Sequence, residues 1–217
     1  FKLREGLKWS DGQPFTADDI LFWYEDVMLN EELTPSPPAW MLIGGEPGKV
    51  TKVDDYTVTF TFAEPYGLFL QWLASWRGDA PTVFAKHYFS QFHPRYNPDL
   101  DKLVAEAGVE SWVALFQTRG GTQADNVAHW QTTEAPRLYA WTLTQPYGFG
   151  SRAVAARNPY YFKVDPAGNQ LPYLDGVSYE VLDNVEVMLA KVIAGEIDMH
   201  ERHVFNSTNK SVIAEYA

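Results

Sequence analysis

The chain has 217 residues, of which 46% are hydrophobic and 21% charged, a balance that can bury a sizeable core and excludes a disordered chain. With 17 basic against 28 acidic residues the formal net charge is -11, and no run of Lys or Arg interrupts it, so a nucleic-acid backbone or an anionic membrane surface is repelled. Cysteine is absent, which excludes a disulfide framework and thiolate metal chemistry, and no stretch approaches the eighteen consecutive apolar residues of a membrane helix.

The opening residues set a short strand over 1–4, a Ser10-Asp11-Gly12 turn, and then Pro14-Phe15 ahead of a helix start. Thr16 is placed to accept a backbone N–H while Asp19 reaches back, the two halves of a capping box. Ile20, Trp23, Tyr24 and Val27 follow at i, i+3, i+4, i+7 and give the helix one apolar face. Residues 50–62 alternate Val58, Phe60, Phe62 against Thr57, Thr59, Thr61 around an Asp54-Asp55 reversal, with Val50 and Val53 before it, which predicts a β-hairpin. Glu64-Pro65 stops the hairpin, and a helix over 66–75 is expected to carry Leu68, Leu70, Trp72 and Leu73. Residues 85–117 have a helical pattern broken at Pro94, Pro98 and Gly108.

Further on, residues 152–157 read as a strand closed by Asn158-Pro159, followed by a turn-rich segment over 165–175. A second strand with Val177, Tyr179 and Val181 leads into a helix with Val185, Met188, Leu189 and Val192, ended by Gly195. Glu196-Ile197-Asp198-Met199 is expected to start another strand, so that strand, helix and strand form a parallel βαβ crossover.

Three blocks, roughly residues 1–29, 50–76 and 152–201, resemble the family 5 extracellular solute-binding proteins, the oligopeptide- and dipeptide-binding receptors of bacterial ABC importers. The first is carried by Leu3-Arg4-Glu5-Gly6 through Trp9-Ser10-Asp11-Gly12 to Ala17-Asp18-Asp19, the third by Arg157-Asn158-Pro159 and Gly195-Glu196-Ile197-Asp198. The resemblance implies an α+β/α/β fold of the type II periplasmic-binding-protein kind. Residues 1–136 would be the small inserted lobe and 137–217 part of the large α/β lobe with the βαβ unit, the second lobe lying outside the chain. It further implies capture of an extracytoplasmic solute, with a short peptide as the expected cargo, for a membrane ABC permease, without cofactor or chemistry on the ligand. The location would be periplasmic or extracellular. The chain opens in mid-strand at Phe1 without an initiator Met, so it reads as a fragment with any export signal or lipid anchor upstream, and such a fragment is expected to self-associate. One departure stands out: where many members carry a Gly-Thr-Gly-Pro-Tyr turn, this chain has Glu134-Ala135-Pro136-Arg137-Leu138-Tyr139.

Within that resemblance Trp40, Trp76 and Arg77 are the expected ligand contacts, because members place an aromatic or Arg near these positions on the cleft rim. Trp40 follows the Pro35-Ser36-Pro37-Pro38 loop and Trp76-Arg77 follow a helix, while Trp9 and Trp23 are assigned to the core. A loop aromatic offers large contact area with few rotors, and Arg offers a fixed fork to a carboxylate. The competing class is a carbohydrate-active enzyme or a lectin-like module, suggested by acidity and eight Trp. Asp18-Asp19, Glu25-Asp26 and Glu31-Glu32 do not make a glycosidase pair, because neighbours on a helix point to different faces; capping and solvation account for them. His200-Glu201-Arg202-His203 lacks a third ligand for a metal, and Gly44-Gly45 and Gly120-Gly121 read as ordinary turns. The Asn206 and Asn209 acceptor tripeptides are assigned nothing.

Overall fold

A computed structural model describes residues 1–123, 126–200 and 202–216 of the chain. Helix α1, Ala17–Phe22, starts at the expected box: Thr16 Oγ1 accepts the Asp18 N–H and Asp19 Oδ2 accepts the Thr16 N–H at 2.9 Å. The other oxygen of Asp19 accepts the backbone N–H of Lys86 at 2.9 Å, so one buried carboxylate begins two helices. Burial raises the Asp19 pKa, and the backbone donors oppose that rise.

After Phe22 the helix widens into a π-helical segment, Trp23–Met28, whose Leu29 N–H bonds back five residues to Tyr24. Trp23 and Val27 are buried as the spacing predicts, and so is Asp26, only 3% exposed. This corrects the solvation reading for Asp26, while Glu25 stays exposed. Asp26 takes Arg95 Nη1 at 2.8 Å and the Tyr96 hydroxyl at 2.6 Å, both from a loop sixty-odd positions away that local pattern cannot place.

The strands β1, Leu42–Ile43, and β2, Glu46–Pro47, make a minimal hairpin around Gly44-Gly45. The expected second hairpin is β3, Lys49–Asp54, with β4, Thr57–Thr61, in register Val50 to Phe60 and Lys52 to Val58. Val53, three positions from the buried Val50, falls on the opposite face of β3 and is exposed to solvent, next to a bulge between Lys52 and Asp54. The opening strand is reduced to a single bridge, Lys2 to Thr57. Helix α2 spans only Phe69–Leu73, and it is Phe69 that is buried while Leu68 and Leu70 are exposed.

Helices α3, Lys86–Phe89, α4, Leu100–Ala107, and α5, Trp112–Thr118, fill the segment read as broken helix. Gly108 ends α4 at φ 67°, and Ser111 caps α5 through the Ala114 N–H. The buried residues of the main hydrophobic core fall within residues 9–135, among them Trp9, Phe22, Trp23, Phe89 and Phe116, with Leu3, Leu7, Leu138 and Tyr139 packed against them.

The rest of the chain builds a three-stranded sheet: β5, Trp141–Gln145, β6, Arg152–Arg157, and β7, Gly176–Glu180, with β6 central and both neighbours antiparallel to it. Helix α6, Val185–Ile193, is capped by Asn184 and followed by Gly195 at φ 70°. The expected parallel crossover is absent, because residues 196–200 form no strand. Instead the Glu196 N–H bonds back to the Lys191 carbonyl and Glu196 Oε2 takes the Lys191 ammonium at 2.8 Å, folding the chain onto α6 rather than into the sheet. Helix α7, Lys210–Tyr216, packs against α6. No helix among the described residues is long and apolar enough to cross a membrane.

Candidate functional site

A short 3-10 turn, Trp76–Thr82, follows α2, and Ser75 Oγ accepts the Arg77 N–H at its start. Trp76 is 63% exposed, and the Arg77 guanidinium lies over its ring at 4.7 Å. The turn therefore presents an aromatic face and a cation as one unit, each limiting the other's rotamers. Trp40 is placed differently: it is 3% exposed and lies in the core. Its ring stacks on Trp23 at 5.9 Å with an interplanar angle of 2°, and Phe69 lies 6.4 Å away. This corrects the loop reading of Trp40, since a ring covered by two others offers no face to a ligand. The structure brings Trp76 and Arg77 together at the surface and leaves Trp40 among core rings.

The same turn reaches a second feature. Asp79 Oδ2 accepts the Tyr139 hydroxyl at 3.0 Å, and the Tyr139 ring stacks on Trp130 at 5.8 Å with His129 edge-on at 5.8 Å. Burial, then Asp79, raises the Tyr139 pKa. Below these rings lies a cavity of about 100 Å³, walled by His129, Trp130, Arg137, Tyr139, Trp141 and Ala155 among others.

Arg137 fixes the geometry of that wall. Its guanidinium, 6% exposed, donates to the carbonyls of Val83, Gly120 and His129 at 3.4, 3.3 and 3.2 Å. Its backbone N–H donates to Ser10 Oγ and its carbonyl accepts the Ser10 N–H, both at 3.0 Å. Gly120 is required beside it: at φ 84°, an added Cβ would meet Thr132 Cγ2 at 2.4 Å and Arg137 Nη2 at 2.6 Å. The Gly120-Gly121 turn thus exists to admit a buried cation. That role is missed when the dipeptide is read alone, and nothing in the residues around Arg137 signals its burial.

Burial pushes the Arg137 pKa down to about 10, so it stays charged at neutral pH. Burial and then the neighbouring Arg137 charge push His129 down to about 3. His129 Nδ1 lies 3.0 Å from the Thr122 carbonyl, which can only accept, so Nδ1 carries the proton and Nε2 keeps a bare lone pair. His129 gives a pH prediction. The folded chain holds it neutral and the unfolded chain protonates it near 6.5, so between about 3 and 6.5 the unfolded state binds the extra proton. Stability is complete above this window and falls as pH drops through it. His129→Asn, which keeps a donor for Thr122, is expected to flatten the slope of urea midpoint against pH; an unchanged slope would show that His129 already titrates normally.

These groups supply hydrogen bonding and ring surface, and among the described residues no set of three or more His, Asp or Glu is grouped to hold a metal. His200 and His203 have ring centroids 6.5 Å apart, and Glu201 between them lies outside the described residues.

The fold defines a periplasmic-binding-protein class. A solved oligopeptide-binding protein OppA is similar over all of this chain, with TM-score 0.86 and 41% identity, although the chain covers 33% of it. The periplasmic binding protein MelB of Agrobacterium fabrum C58, solved with stachyose, matches 97% of the chain and 28% of its own length at TM-score 0.69 and 27% identity. The chain belongs to the bacterial extracellular solute-binding proteins of family 5, whose middle-region model matches residues 1–210. The periplasmic alpha-galactoside-binding protein of Rhizobium meliloti (strain 1021) is 34% identical over 179 residues, 82% of this chain and 22% of that protein. The periplasmic oligopeptide-binding protein OppA of Salmonella typhimurium (strain LT2) is 29% identical, over 92% of this chain and 31% of its own length. The chain thus spans between about a fifth and a third of the length of each of these four relatives.

Proposed function

We propose that this chain is part of the solute-binding component of a bacterial ABC importer, which captures a short peptide outside the cytoplasm and passes it unaltered to a membrane permease. Residues 1–136 serve as its small lobe and residues 137–217 as part of its large lobe. The observation that carries the reading, beyond membership of the family, is the exposed Trp76–Arg77 pair on a Ser75-capped 3-10 turn. Its fork suits a peptide carboxylate, and its ring supplies contact area at small entropic cost.

A second reading, an oligosaccharide cargo, is favoured by the alpha-galactoside-binding relative and the stachyose complex, and an exposed Trp face also suits a sugar. Isothermal titration of the full-length protein with tripeptides, pentapeptides and galactosides separates the two. Trp76→Ala and Arg77→Ala are each expected to weaken the bound class by roughly 1–3 kcal/mol, with the melting temperature of the unliganded protein unchanged. Equal affinity in both variants would remove the pair from the site. Glycoside hydrolysis by the galactoside-treated protein would return the enzyme class.

A further inference from the structure

The cavity behind Tyr139 has a hydrogen-bonding inventory that is nearly closed. Tyr139 donates to Asp79, Thr132 to Glu134, His129 Nδ1 to Thr122, and Arg137 spreads its charge over three carbonyls. Among the described residues, two buried polar atoms of this wall have no partner: His129 Nε2 and Trp141 Nε1. The first, on the tautomer fixed by Thr122, accepts; the second only donates. Leaving both unsatisfied costs the desolvation of each.

The pair selects a guest by charge. A carboxylate could take the Trp141 N–H but would face the imidazole lone pair, and the Arg137 charge that would draw it in is already committed to three carbonyls; an ammonium could serve the lone pair but would face the indole N–H. A hydroxyl both donates and accepts. The remaining walls, the stacked rings of Trp130 and Tyr139, suit C–H surface. A volume of about 100 Å³ holds roughly three water-sized groups, which fits the end of a polyol or sugar and not a whole oligosaccharide.

We propose that this cavity is a binding pocket for the hydroxyl-bearing end of a neutral polyol or sugar, with guest hydroxyls accepting from Trp141 Nε1 and donating to His129 Nε2. The pocket stands on its own residues and does not rest on the peptide reading of Trp76 and Arg77, though Asp79 ties it to the same turn.

The test is titration of the ¹⁵N-labelled chain with glycerol and galactose, with acetate and methylammonium as charged controls, reading the Trp141 indole N–H, which is assigned by its loss in Trp141→Phe. A saturable shift with the polyols and none with the ions is expected. His129→Phe should weaken polyol binding roughly tenfold, the worth of one hydrogen bond. Should that variant fail to fold, Ala155→Val, which fills the wall without touching either polar atom, should produce a loss at least as large. Trp76→Ala should leave the shift intact, which keeps failure of the pocket distinct from failure of the peptide site. No saturable shift, a shift with acetate alone, or polyol affinity unchanged in Ala155→Val would each overturn the proposal.

Discussion

Trp40→Ala is expected to cost roughly 3–5 kcal/mol of folding stability, the price of losing a buried ring and leaving a cavity. The ring packs against Trp23 and Phe69, which come from the π-helical segment and from α2, so neither neighbour can close the gap without leaving its own element. The matched control is Trp76→Ala, which removes an exposed ring and should shift the urea midpoint by less than about 0.5 kcal/mol equivalent. A Trp40→Ala protein that unfolds at the wild-type midpoint would place the ring outside the core after all.

Arg137→Met should be comparably damaging, by roughly 3–5 kcal/mol, although methionine preserves much of the side chain's volume. The cause is the three buried carbonyls it abandons, those of Val83, Gly120 and His129. Arg137→Lys should recover only part of the loss, since an ammonium cannot span three carbonyls with a planar fork. The same variant removes the charge that helps hold His129 neutral, so the histidine should titrate at higher pH in Arg137→Met than in the parent. Equal stability of Arg137→Met and the parent would show that the guanidinium is merely tolerated in its pocket.

The features legible in the sequence were those whose causes are local. Thr16 and Asp19 announce a helix start because both halves of a capping box lie within four residues. The Val-Phe alternation announces β3 and β4, and Gly108 announces the end of α4, for equally local reasons. What failed was set by distant partners. Trp40 sits after a Pro-rich loop that looks exposed, yet Trp23 and Phe69 decide its burial. Asp26 looks like a solvated acid until the π-helical turn rotates it toward Arg95 and Tyr96. Glu196 to Met199 have a strand-like composition, but the strand would need a neighbour, and Lys191 offers a closer bond. Of the proposed ligand contacts, Trp76 is exposed, as its place after a helix predicts. The cavity could not be foreseen, since His129, Arg137 and Gly120 become meaningful only once they converge.

The carboxylate of Asp19 has a consequence for how the chain opens and closes. One oxygen serves Thr16, three residues back, and the other serves Lys86, 67 residues ahead. A buried carboxylate that loses either donor must regain water, so the start of α1 and the docking of α3 are broken by the same event. Amide hydrogen exchange should therefore report one cooperative opening for both helices, with the Lys86 amide losing protection together with the first turn of α1 rather than with its own short helix. A signal that reads as the most local in the sequence is thereby the point at which the two halves of the core-bearing segment share a single fate.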